Sequence, residues 1–224
     1  MDIETLLGQN IGQTAGILGK ISLQNYSSID LSIKNKTLRK LQVTDPEVCQ
    51  SYINTILQEN NAKVAYGGYL EKRNLYANAE QFTGAITRNI HLGMDFWAKT
   101  GTKVIAPLPG RVHSFKNNAS LYDYGPTIII AHQLNGFEFY SLYGHLSLES
   151  LNGLKKGKFF QRGDVLGSLG APIINVGYAP HLHFQFIIDL QGNQGDYPGV
   201  CSENDLEFYS KNCPNPNLLF KLRV

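Results

Sequence analysis

Thr127-Ile128-Ile129-Ile130-Ala131-His132-Gln133-Leu134-Asn135-Gly136-Phe137-Glu138-Phe139-Tyr140-Ser141-Leu142 is the run that decides the fold. Two stretches rich in β-branched and aromatic residues flank Asn-Gly, a pair that tolerates the left-handed torsions of a two-residue hairpin turn. Outward from it, Lys103-Val104-Ile105-Ala106, Gly110-Arg111-Val112-His113-Ser114-Phe115, Val165-Leu166-Gly167-Ser168-Leu169 and His183-Phe184-Gln185-Phe186-Ile187-Ile188 are also strand-like and separated by Gly, Pro and Asn. No alternation of strands with helices occurs. The expectation is a mainly β protein, an antiparallel sandwich or partly closed barrel.

Residues 1–62 differ, being polar and carrying the clear helix signal of the chain. In Thr44-Asp45-Pro46-Glu47 a capping side chain precedes Pro at the first helical position, where a missing N–H costs nothing. Val48, Tyr52, Ile53, Ile56 and Leu57 then recur at helical spacing. The organisation expected is an N-terminal extension over 1–62 with a helix near 46–60, and a main domain over 63–224 whose motifs lie in 88–188. No chemistry is visible before residue 63.

The 20 Lys and Arg against 18 Asp and Glu leave a net charge of +2, too weak a field to recruit nucleic acid. Cys49, Cys201 and Cys213 make an odd number without metal-site spacing, and a Cys201–Cys213 bridge is open in an oxidising compartment. No apolar run is long enough to span a membrane. Met1-Asp2-Ile3-Glu4 lacks the positive start of an export signal, so the compartment expected is the cytoplasm, or outside it if such a signal was trimmed.

Two patterns carry chemistry. In His181-Leu182-His183, residues two apart on a strand face one side, their Cα atoms ~6.6 Å apart. In His91-Leu92-Gly93-Met94-Asp95, fully extended chain would separate His91 and Asp95 by ~13 Å, too far to share one ion, so a bend at Gly93 is expected. Imidazole and carboxylate together suit zinc, and three protein ligands leave a position for water. Arg88 and Asp164 read as a solvated charge and a turn cap. His113 and His132 read as strand histidines, and Tyr140 and Tyr143 as candidates for a groove wall.

These residues resemble the lysostaphin-like zinc metalloendopeptidases, which cleave peptide bonds in bacterial peptidoglycan. The resemblance runs from His91-Leu92-Gly93-Met94-Asp95-Phe96 through Gly101-Thr102-Lys103-Val104-Ile105-Ala106-Pro107, Gly110-Arg111-Val112 and Leu142-Tyr143-Gly144-His145-Leu146-Ser147. It continues through Gly163-Asp164-Val165-Leu166-Gly167-Ser168-Leu169-Gly170 to Pro180-His181-Leu182-His183-Phe184. It implies the family's β fold with a duplicated hybrid motif, one zinc ion on His91, Asp95 and His183, and a catalytic pair, His145 and His181. Either of the two could take the water proton. Gln185 stands where many members carry Glu. A narrower resemblance, to the metallopeptidase-like module of fused kinase and class III aminotransferase polypeptides, rests on Tyr122-Asp123-Tyr124-Gly125-Pro126-Thr127, Tyr143-Gly144-His145-Leu146-Ser147 with Glu149-Ser150-Leu151, Tyr197-Pro198-Gly199-Val200 and Cys213-Pro214-Asn215-Pro216-Asn217-Leu218. The function expected is hydrolysis of peptide or peptidoglycan-derived substrates. The alternatives are a non-catalytic peptide- or glycan-binding regulator of the same fold, or a histidine phosphocarrier, which would have no need of Asp95. Oligomeric state is open.

Overall fold

The computed structural model describes residues 3–9, 16–73, 87–120, 123–175 and 177–223. Met1, Asp2 and Tyr122, which belong to stretches quoted above, lie outside the described residues. The architecture is mainly β. The Asn-Gly hairpin forms as expected: β7 (Gly125–Leu134) and β8 (Phe137–Gly144) pair antiparallel from Leu134 opposite Phe137 to Ile128 opposite Tyr143. Asn135 and Gly136 have φ of 49° and 84°, the left-handed torsions that match a tight turn to the twist of its strands.

The hairpin is the centre of an eight-stranded sheet. It joins β1 (Tyr26–Ser28), β2 (Val64–Gly67), β4 (Met94–Trp97), β6 (Gly110–Asn118), β9 (Phe159–Phe160) and β11 (His181–Ile187) in the order β1-β2-β4-β11-β8-β7-β6-β9. All pairs are antiparallel except β1 with β2. The sheet is open rather than closed into a barrel, with β1 and β9 at its edges. Among the described residues the remaining strands form two small ribbons, β5 (Lys103–Ile105) with β10 (Val165–Ser168), and β3 (Ile90–His91) with β12 (Val200–Cys201).

Side-chain alternation divides the sheet into two faces. Val64, Tyr66, Met94, Phe96, Leu182 and Phe184 lie in the larger core, which α1 (Ile3–Gln9) covers with Leu6 and Leu7, and α4 (Asn217–Phe220) with Leu219 and Phe220. The opposite face is apolar only at its ends. Ile129, Leu142 and Ile187 pack there with Cys201 and Cys213, while Ala65 and Trp97 pack with Cys49 and Ile53 of α2 (Pro46–Glu59). All three cysteines are free thiols. Asp45 caps α2 by accepting from the N–H groups of Glu47 and Val48 at 2.8 and 3.4 Å. Between the two apolar ends the face is polar, and there the histidines gather.

His132, on β7, is buried on the core side of the hairpin, its Nδ1–H donating to Pro109 O at 2.8 Å and its Nε2 accepting from Ser141 Oγ at 2.6 Å. Burial lowers its pKa to about 4. The folded-state value lies below the unfolded one, so the unfolded chain binds the extra proton; the stabilisation holds at neutral pH and is lost as pH falls from about 6.5 to about 4. The amount is about 3 kcal/mol. Urea midpoints at about pH 7.5 and pH 4.5 are expected to fall less for His132→Gln than for the wild type; equal falls would assign the acid sensitivity elsewhere.

Candidate metal centre and active site

His183 sits on β11 directly opposite Asp95 on β4, and His181 opposite Trp97. Period-two alternation therefore puts His181, His183, Asp95 and Trp97 on the polar face together. His91 arrives from β3, which pairs with a different partner strand, so the chain changes direction at Leu92-Gly93. Gly93 does not make that change through a left-handed torsion. Its contribution is space: a Cβ there would stand 2.7 Å from His183 Cε1 and Nε2 and from Phe184 O. The expected bend residue is a close-approach residue.

Three ligating atoms converge, His91 Nε2, Asp95 Oδ1 and His183 Nδ1. The nitrogens are 2.8 Å apart, and the carboxylate oxygen is 3.2 Å from His91 Nε2 and 3.1 Å from His183 Nδ1. The outer nitrogens are already committed. His91 Nδ1 lies 2.9 Å from Gly68 O, and His183 Nε2 lies 2.9 Å from Gln185 Oε1; both oxygens only accept, so both nitrogens carry hydrogen. The inner nitrogens then present bare lone pairs to each other and to a carboxylate. Three acceptors facing one point in a buried site repel unless a cation lies between them, so the donor set and its tautomers fit a metal ion, and imidazole with carboxylate fits zinc.

Further contacts hold these ligands in place. The Arg73 guanidinium, 1 % exposed, reaches Asp95 Oδ2 from Nη1 at 2.6 Å and Glu71 Oε2 from Nε at 2.5 Å. Burial would raise the Asp95 pKa, but the neighbouring His91 and the Arg73 guanidinium hold it well below the usual carboxylate range. Burial and Arg73 lower His91 to about 4. Gly68 has φ of 104°, and a Cβ on it would stand 1.9 Å from Arg73 Nη2, so only glycine lets the backbone carbonyl reach His91 beside the guanidinium.

His145 and His181 stand beside the triad, their ring centroids 4.1 Å apart. His181 donates Nδ1–H to Ala179 O at 2.7 Å, which leaves Nε2 as an acceptor, 4.0 Å from Asp95 Oδ1. Its ring stacks on Trp97 at 5.7 Å. His145 follows β8 with φ of 62°, a strained torsion for a residue with a Cβ, held by its N–H to Tyr124 O at 2.8 Å and by Gly170 N–H to its own carbonyl at 3.0 Å. Its Nδ1 is buried without a hydrogen-bond partner among the described residues. Burial first, and then the neighbouring histidines, push the His145 pKa well down; burial likewise lowers His181, against the pull of Asp95.

A cavity of about 460 Å³ opens over these groups. Tyr124, Tyr178 and Trp97 line it, and so do Val43, Pro46 and Cys49 from the N-terminal segment, in which the sequence showed no chemistry. Arg88, read as a solvated charge, is half-buried on the cavity wall. Tyr143 is instead buried in the core, and Tyr140 bonds Glu138 at 2.5 Å away from the cavity. Asp164 caps a turn, accepting from Gln161 N–H at 2.8 Å. His113 sits at an irregularity in the β6–β7 register and bonds Ser114 Oγ at 2.9 Å. Sequence reading passed over Arg73, Trp97 and Gly68; Trp97, two residues beyond Asp95, was the one that strand alternation could have found.

Comparison with known proteins gives a family-model match over part of the chain. Residues 89–196 match the family model described as Peptidase family M23, which supports a peptidase M23 domain over that segment. A protein of Haemophilus influenzae described as an uncharacterized metalloprotease is 35% identical over 99 residues, which are 44% of this chain and 19% of that protein. The chain thus spans about a fifth of the length of the curated relative it matches. Among solved structures, the catalytic domain of lysostaphin from Staphylococcus simulans is 24% identical, with coverage of 67% of this chain and 94% of that one and a TM-score of 0.40. A zinc-containing peptidase from Vibrio cholerae is 27% identical, with coverage of 44% and 27% and a TM-score of 0.34. The match to Peptidase family M23 and the metalloprotease relative support a peptidase role for that segment.

Proposed function

We propose that the protein is a zinc-dependent metalloendopeptidase acting on peptide bonds of peptidoglycan or related peptides, with His91, Asp95 and His183 holding one ion. The observation that carries this reading is the convergence of three acceptor atoms whose outer hydrogen bonds fix both imidazoles with their lone pairs inward. A zinc ion held there would supply Lewis acidity, polarising a carbonyl and acidifying water.

The remaining work falls to His181 and His145. Ala179 O holds the proton of His181 on Nδ1, so Nε2 faces the triad as a base ready to accept a proton from water. The proton that His181 takes then passes to the leaving amine, while the neutral His145, with an unpartnered Nδ1 beside His181, stabilises a developing oxyanion by hydrogen bonding. Tyr124, Tyr178 and Trp97 narrow the cavity and exclude bulk water from these transfers. The substrate class draws support from the M23 match, and Tyr197-Pro198-Gly199-Val200 lines the same cavity.

The test is hydrolysis of glycine-rich and D-amino-acid-containing peptides by protein reconstituted with zinc. Cleavage that a chelator abolishes and zinc restores is expected. Stoichiometric zinc without turnover on either peptide class would contradict the enzyme and favour a binding module.

A further inference from the structure

We propose that Gln185 is a positioning residue that decides which nitrogen His183 presents to the metal, an inference that rests on the metal reading above. Gln185 lies two residues beyond His183 on β11, on the same face, and is fully buried. Its amide has one orientation available. The NH₂ group donates to Pro198 O at 3.1 Å and to Cys213 Sγ at 3.2 Å. A backbone carbonyl can only accept, so Oε1 must be the atom that faces His183 Nε2 at 2.9 Å.

An amide oxygen cannot donate, so Nε2 carries the ring hydrogen and Nδ1 is left bare, 3.1 Å from Asp95 Oδ1 and 2.8 Å from His91 Nε2. The Tyr124 hydroxyl, 3.4 Å from the same Nε2, is the weaker neighbour and does not reverse this assignment. The ligand nitrogen is thus specified by a chain running from Pro198 and the Cys213 thiol, through Gln185, to His183. Such outer contacts commonly change metal affinity by about 10–100-fold.

The experiment reads the His183 ring by long-range ¹H–¹⁵N NMR in metal-free protein, together with zinc affinity by competition against a chromophoric chelator. In the wild type, His183 is expected with hydrogen on Nε2. Gln185→Glu, which keeps the acceptor, should retain that tautomer and bind zinc within about tenfold of the wild type, whereas Gln185→Leu should give mixed tautomers and zinc affinity weaker by about 10–100-fold. Hydrogen on Nδ1 in the wild type or in Gln185→Glu would overturn the proposal. So would a folded Gln185→Leu with unchanged tautomer and affinity. If Gln185→Leu does not fold, the wild type and Gln185→Glu decide. A wild type with the Nε2–H tautomer but no zinc binding would remove the metal reading and leave the orientation of His183 by Gln185 supported.

Discussion

Asp95→Asn is expected to lose both the metal and a large share of stability. The carboxylate offers Oδ1 to the triad and Oδ2 to Arg73, so one side chain serves the site and the fold. Asparagine keeps a neutral acceptor but removes the charge, leaving the buried Arg73 guanidinium with Glu71 as its remaining anion among the described contacts. Removing one member of a buried ion pair costs about 3 kcal/mol, at the lower end of the usual range because Glu71 stays. Urea unfolding with chelator present separates this cost from loss of zinc. An unchanged midpoint in the metal-free proteins would show that Asp95 and Arg73 do not stabilise each other.

His181→Ala and His145→Ala are expected to lower kcat/KM by about 10³-fold each while zinc stays bound. Neither supplies an atom to the converging triad: His181 Nε2 lies 4.0 Å from Asp95 Oδ1, and the His145 ring packs beside His181. The rate is lost because a proton acceptor beside the triad disappears in one variant and a donor in the other. The two effects should combine to less than their product, since the rings act together on one proton inventory. Loss of zinc in either single variant would refute the division between ligands and proton-transfer groups.

Much of this site was legible because strands alternate. His181-Leu182-His183 needs only a strand to bring two imidazoles to one face, and β11 supplies it. The Asn-Gly turn likewise located the central hairpin from local chemistry alone. The pairing of His183 with Asp95 was not legible, because register between strands 88 residues apart is set by long-range packing of Met94, Phe96, Leu182 and Phe184. Arg73 gave no sign for the same reason: beside Glu71 and Lys72 it reads as a surface charge, until the fold buries it against Asp95. Gly93 was singled out for its torsion, and its lack of a side chain turned out to matter instead. Helix α2 was readable from its cap and spacing, yet nothing in Val43, Pro46 or Cys49 announced a cavity wall.

The central claim is that His91, Asp95 and His183 together hold one zinc ion, and elemental analysis of protein purified without chelator and reconstituted with zinc tests it most directly. One zinc per chain is predicted in the wild type and in His181→Ala, with less than about a tenth of that in Asp95→Asn. A wild type without stoichiometric zinc, or an Asp95→Asn variant that binds as much as the wild type, would contradict it.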